Sequence, residues 1–126
     1  MNNNVALLTA SLLSILLMTF HHADDVVRGM APGGFSNVVP VMFLAVWLYA
    51  TVALAGRRSG YIIVLVASLC GLGIPLIHMR GAGLAGGRIA GSSGAFFFVW
   101  TLVMVGATSL CSVILSARAL RSLRAT

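Results

Sequence analysis

The sequence predicts an all-α integral membrane protein, a bundle of four transmembrane helices arranged as two hairpins. Apolar residues make up 60% of the 126-residue chain and charged residues only 8%, whereas soluble domains have roughly 45–50% and 25%. The mean hydropathy is +1.05. Four apolar runs are present, and a crossing needs roughly 20 residues. We therefore expect residues 1–126 to form one domain, with spans at about 5–24, 37–55, 61–79 and 95–116.

The first apolar run, Val5–Phe20, is too short to complete a crossing by itself. It gives about 24 Å of helix at 1.5 Å per residue, against about 30 Å of hydrocarbon. The helix is therefore expected to continue past Phe20 through the residues that follow it. Its start, MNNN, lacks the basic residues of a signal peptide, so we interpret it as a permanent span.

The other three runs have recognisable ends. The second run, Val38–Ala55, is followed by Gly56, which suits a helix C-cap. A tight turn at Arg57–Gly60 is expected before the third run, Tyr61–Ile77. The fourth run, Ala95–Ser116, is preceded by a glycine-rich loop. None of the runs alternates with the period of two that a barrel strand requires, so all four are predicted to be helices.

The charge pattern indicates a topology and gives no sign of nucleic-acid binding. The net charge is +6, but the arginines are not gathered on one face as a nucleic-acid footprint would be. Positive residues favour the cytoplasmic side of a membrane. The side with the termini carries Arg57, Arg58, Arg118, Arg121 and Arg124, and the opposite side carries Arg28, Arg80 and Arg88. We therefore expect both termini in the cytoplasm, in a bacterial inner membrane.

This topology places every histidine and acidic residue at the non-cytoplasmic end. Projected on one helix, His21, Asp24, Asp25 and Arg28 share a face, whereas His22 points elsewhere. His21 and Asp25 are four residues apart, a spacing at which side chains meet. His78 ends the third span. The candidate site for a solute or a partner comprises His21, His22, Asp24, Asp25, His78 and Arg80.

Three interpretations of this cluster are open. It can be an anchor in which interface residues satisfy one another, with Arg28 neutralising an aspartate. It can bind a divalent metal or haem, since imidazole is the commonest protein metal ligand. It can also line a pathway for ions or a small polar solute. The candidate metal ligands are His21, His22, Asp25 and His78, and two histidines from different helices are the candidate axial ligands of haem.

The function expected from this cluster is that of a small transport or accessory membrane protein. The alternatives are a haem- or metal-binding redox or sensor protein and a structural subunit of a larger membrane complex. A serine triad, paired carboxylates within a span and a cofactor fingerprint are all missing from the sequence, so nothing supports an enzyme. The expected partners are the lipid bilayer and a second copy or another membrane subunit.

The third helix contains Gly71, Gly73 and Pro75 just before His78. Proline removes one N–H and leaves the carbonyl of Gly71 without its usual partner. A kink or a break is therefore expected, and freed carbonyls at a break can line a solute or ion site. In the alternative interpretation, the glycines simply allow a neighbouring helix to come close.

Overall fold

The computed structural model describes residues 3–31, 33–78 and 89–124, and within these ranges it is all-helical apart from the connections. The helices are α1 (Asn3–Val27), α2 (Val38–Val52), α3 (Arg58–His78) and α4 (Ala95–Ser122), and a short 3₁₀ helix, Gly34–Asn37, leads into α2. All four, with α2 counted from its 3₁₀ turn, are long and apolar enough to cross a membrane. The predicted fold class is confirmed at this level.

Two helices extend beyond their predicted ends. α1 continues through the histidines to Val27, and α4 continues to Ser122. α3 begins at Arg58, so the expected turn at Arg57–Gly60 is wrong for three of its four residues. The connection lies at 53–57, and Gly60 already belongs to the first turn of α3. A Cβ at Gly60 would collide with the backbone carbonyl of Leu54. The missing side chain is what lets α2 and α3 follow one another so closely.

The break expected in the third helix is absent. α3 is helical without interruption from Arg58 to His78, with Pro75 inside it. The ring of Pro75 lies against α4 at Gly106, where an added Cβ would be 3.1 Å from the proline Cγ. Because Gly106 has no side chain, α4 leaves room for the proline ring. α3 remains helical beyond Pro75.

The two glycines near the proline play different parts. A Cβ at Gly71 would lie 2.5 Å from the Ser109 Oγ and 3.2 Å from the Trp47 ring, whereas a Cβ at Gly73 would meet no atom of the described residues within 4 Å. Close helix approach, the alternative interpretation, is therefore confirmed for Gly71 and does not apply to Gly73.

The helices pack so that α4 lies against both α1 and α3, while α2 contacts α1 and α3 on the other side of the bundle. The interior combines a few large apolar side chains with many small hydroxyl residues. Among the described residues, the fully buried hydroxyl residues are Ser11, Ser14, Ser68, Thr101, Ser109, Ser112 and Ser116. Small residues of this kind allow helix backbones to approach closely.

A hydrogen-bonded group of three side chains joins α1 to α2. The Trp47 Nε1–H donates to the Ser11 Oγ at 2.9 Å, and the Thr51 hydroxyl donates to the Trp47 carbonyl at 2.8 Å. Ser11 and Thr51 lie 2.7 Å apart. Because the Thr51 proton is already used, Ser11 is the donor in this last pair, and every buried donor of the group has an acceptor.

The contrast between the two glycines of α3 leads to a matched prediction. We expect Gly71→Val to destabilise the bundle by about 1–3 kcal/mol, the usual cost of inserting extra volume into a packed core. Gly73→Val introduces the same β-branched residue into the same helix at an open position, so its cost should be clearly smaller. Unfolding of both variants in detergent measures the difference, and equal losses of stability would contradict the packing described here.

Candidate metal centre

Three aromatic side chains from three helices meet at one end of the bundle. His21 of α1 and His78 of α3 are in edge-to-face contact, with ring centroids 4.7 Å apart. Phe98 of α4 packs on both, at 5.0 Å from the His21 ring and 5.5 Å from the His78 ring. The expectation that the ends of the first and third spans come together is thereby met in the structure.

One carboxylate lies between the two imidazoles. The Asp25 Oδ2 is 3.7 Å from the His21 Nε2 and also 3.7 Å from the His78 Nε2. Both separations are longer than a hydrogen bond, which ends near 3.2 Å for nitrogen and oxygen. Donor atoms of His21, Asp25 and His78 all lie within 4.8 Å of one another. We call this group the triad.

The tautomer of His78 follows from a single contact. Its Nδ1 lies 3.1 Å from the carbonyl oxygen of Ile74. A carbonyl only accepts, so the Nδ1 carries the hydrogen and donates it. In the neutral ring the Nε2 lone pair is then free and directed toward Asp25. Metal-binding histidines are commonly oriented in this way by a backbone carbonyl on their other nitrogen.

The remaining polar atoms of the triad lack hydrogen-bond partners. Among the residues that the structure describes, both ring nitrogens of His21 and the Asp25 Oδ1 have none. The His21 side chain is only 2% exposed, so water does not readily supply the missing bonds. Buried polar groups are nearly always satisfied, and an exception calls for an explanation such as an unseen ion.

Asp24, although adjacent in sequence, does not belong to the triad. Its Oδ2 accepts a hydrogen bond of 2.7 Å from the Arg28 Nε. The same guanidinium donates from Nη1 to the Ser92 hydroxyl at 2.8 Å and lies 5.8 Å from the centre of the Phe98 ring. Arg28 therefore neutralises Asp24 and fastens the segment before α4 to the end of α1.

The other predicted site residues fall into two groups. His22 lies outside the triad but lines a cavity of about 180 Å³ that adjoins it. Arg80 lies outside the described residues. Within the described ranges, the charged or titratable groups within 4 Å of the Asp25 carboxylate are the two imidazoles of the triad.

No protein family matches the chain, and neither a curated protein nor a solved structure is similar to it. What the site can do must therefore be argued from its geometry.

The triad fits a divalent transition-metal ion. With ligand bonds of about 2.0–2.2 Å, adjacent donors of a tetrahedral site lie about 3.3–3.6 Å apart, close to the two separations of 3.7 Å found here. Nitrogen from neutral imidazole with oxygen from a carboxylate is a ligand set that zinc, copper, iron and nickel accept. Small side-chain adjustments would bring all three donors to bonding distance.

The triad does not fit haem, which the sequence left as an alternative. Two axial imidazoles lie on opposite faces of the macrocycle, but the rings of His21 and His78 touch edge to face and leave no space for it between them. Phe98, which is fully buried, closes the space on the side of α4. As placed here, His21 and His78 are therefore not arranged as a pair of axial ligands for haem.

Sequence reasoning missed Phe98. It stands among the aromatic residues at the start of α4, which read as a membrane-interface group. The signal was nonetheless present, because Phe98, Leu102 and Val105 repeat at the helical spacing of a buried face and all are 0% exposed.

The contacts of Arg28 lead to a prediction for the stability of this end. We expect Arg28→Gln to cost about 1.5–3 kcal/mol, the range for hydrogen bonds to charged groups, because it leaves the half-buried Asp24 carboxylate unpaired. Arg57→Gln, at an exposed arginine, serves as the control. Adding Asp24→Asn to Arg28→Gln should recover part of the loss. Chemical unfolding in detergent measures all of these variants, and an Arg28→Gln cost no larger than the Arg57→Gln cost would contradict the pairing.

Proposed function

We propose that this chain is a small multi-pass membrane protein that binds a divalent first-row transition-metal ion at one end of its bundle. His21, Asp25 and His78 are the ligands. The observation that carries the proposal is a triad of donor atoms that are too far apart for hydrogen bonds but lie within 4.8 Å of one another, so that small side-chain movements let them converge on a shared ion. The buried nitrogens of His21, unpaired within the described residues, support it further.

The location in a membrane is supported by the distribution of side chains. Serine fills buried positions, whereas large apolar residues cover the outside of the helices; Leu16, Val66 and Val103 are each about half exposed. Soluble proteins rarely expose continuous apolar surfaces of this extent. An apolar exterior of this kind is suited to contact with the hydrocarbon core of a membrane.

Within this proposal the metal ion is the solute of the polar site expected from the sequence. His78 lies about 30 Å along α3 from Arg58, at 1.5 Å per residue, so the triad sits at the edge of the hydrocarbon core. An ion bound there is reached without crossing the bilayer. Such a site suits capture of the ion, either as a step of transport or for delivery to a partner subunit.

Metal titration of paired variants tests the proposal. Protein purified in detergent with a tag free of histidine should bind Zn²⁺ or Co²⁺ with a stoichiometry of one per chain, measured by calorimetry and by the visible absorption of Co²⁺. Asp25→Asn and His78→Ala should each weaken binding by more than about a hundredfold, because even outer-shell changes cost about 10–100-fold.

Neighbouring residues of the same types provide the matched controls. Asp24→Asn removes a carboxylate that is already paired with Arg28, and His22→Ala removes an imidazole outside the triad. Both variants should retain one bound ion. If wild-type protein binds no metal, or if the control variants lose it as completely as the triad variants do, the triad is an interface anchor and the proposal is wrong.

The proposed orientation, with both termini in the cytoplasm, is tested by thiol labelling. Ser59 and Ser93 are both exposed and lie at opposite ends of the bundle. In a background carrying Cys70→Ala and Cys111→Ala, a membrane-impermeant maleimide should label Ser93→Cys on intact cells. Ser59→Cys should react only after permeabilisation. The reverse pattern would place the triad at the cytoplasmic face.

A further inference from the structure

The cavity beside the triad has one polar end and an otherwise apolar wall. Its volume is about 180 Å³, and the triad together with His22 forms its polar end. Phe43 and Leu44 of α2 and Ile74 of α3 form much of the remainder. A space with polar groups at one end only is poorly suited to several waters, since each water needs two to four polar partners.

The cavity opens on the flank of the bundle. Cys70 lines it, yet the Cys70 side chain is exposed on the outer surface. This residue precedes His78 by about 12 Å of helix at 1.5 Å per residue, so the opening lies well inside the apolar length of α3. Under the proposed membrane location, a molecule enters here from the hydrocarbon and must itself be apolar enough to dissolve in it.

The size of the cavity limits the molecule to about one ring. A dry apolar cavity of about 150 Å³ in another protein holds benzene, and the present cavity of about 180 Å³ is only slightly larger. The Phe43 side chain adds an aromatic surface to its wall. One six-membered ring with small substituents fits, whereas fused ring systems exceed the space.

The chemistry of the polar end adds a requirement for an oxygen donor. A site with three protein ligands leaves at least one coordination position open for an exogenous ligand. With one carboxylate and two neutral imidazoles, a divalent ion keeps one uncompensated positive charge, which is costly in an apolar setting. A hydroxyl group on an aromatic ring meets both needs, because it donates an oxygen and gives up its proton more easily than an alcohol does, and the released proton passes to water at the edge of the hydrocarbon core.

We infer that the cavity binds a membrane-soluble molecule with a single hydroxyl-bearing aromatic ring, the chemistry shared by phenols and quinols. Its oxygen lies at the open position of the metal ion and its ring lies against Phe43. This inference rests on the proposed metal site, whose ligands it shares. The metal ion and the cavity then form one binding site, in which the ion binds the oxygen and the apolar wall contacts the ring.

The experiment compares two probes that differ by one hydroxyl group. Co²⁺-loaded protein in detergent is titrated with p-cresol and with toluene, using calorimetry and the visible absorption of Co²⁺. We expect p-cresol to bind about tenfold or more tightly than toluene, the scale expected for one well-placed polar contact. Only p-cresol should shift the Co²⁺ band.

A second comparison tests the opening. Cys70→Phe narrows it, and Leu69→Phe places the same side chain on the neighbouring exposed position, which does not line the cavity. Binding of p-cresol should weaken about tenfold in Cys70→Phe relative to Leu69→Phe, while Co²⁺ binding stays equal in the two.

The outcomes separate this inference from the proposed function. Protein that binds Co²⁺ but whose absorption band is unmoved by p-cresol overturns the ring-binding inference alone. Equal affinity for toluene and p-cresol overturns the role of the hydroxyl. Protein that binds no Co²⁺ overturns the metal site and the inference with it. The comparison of probes on the unaltered protein stands even if Cys70→Phe fails to fold.

Discussion

The close approach of α4 to both α1 and α3 is the constraint on which the rest of the structure depends. Ser109 of α4 fills the space left by Gly71 of α3, and Gly106 makes room for the ring of Pro75. With the helix axes this near one another, the start of α4 reaches across the ends of its two neighbours. Phe98 then contacts two imidazoles that are 57 residues apart in the chain. The meeting of the triad residues is thus a consequence of small residues placed about two to three turns away from them.

The two ends of the bundle differ in how far their polar groups are satisfied. Toward the termini, the Tyr61 hydroxyl donates to the Asn4 side chain at 2.8 Å, and the Trp47 indole has its acceptor in Ser11. These hydrogen bonds between neutral groups hold the helices together, and the paired atoms are not available to a ligand. At the other end, His21 is buried with neither ring nitrogen bonded within the described residues. The buried hydroxyls of Ser68, Ser109 and Ser112 also lack partners within the described residues. The triad differs from them because unpaired imidazole and carboxylate atoms lie together there, so function is to be sought at that end.

Much of the fold and part of the site followed from the sequence, for physical reasons that differ from residue to residue. The helices were predictable because hydrocarbon permits few alternatives to a backbone bonded within its own segment. The contact of His21 with Asp25 followed from helical spacing, and its meeting with His78 from topology. Asp24 and Arg28 are also four residues apart, so their pairing was open to prediction from the same helical spacing. The hydrogen bond from Arg28 to Ser92 was not, because Ser92 lies on a distant segment. The close packing of α4 against the Pro75 ring likewise depends on a glycine of another helix.

An ion pair and a metal centre make different use of the same three side chains. If the triad were only an ion pair, two imidazoles would share one carboxylate at 3.7 Å, without a hydrogen bond between them. Each polar atom left unsatisfied in a buried position costs about 1–3 kcal/mol, and the neighbouring Arg28 is already engaged with Asp24. A single divalent cation placed between the donors binds both imidazoles and the carboxylate at once and compensates the charge of Asp25. The arrangement is costly when empty and favourable when filled, which is the property that a binding site for a metal ion requires.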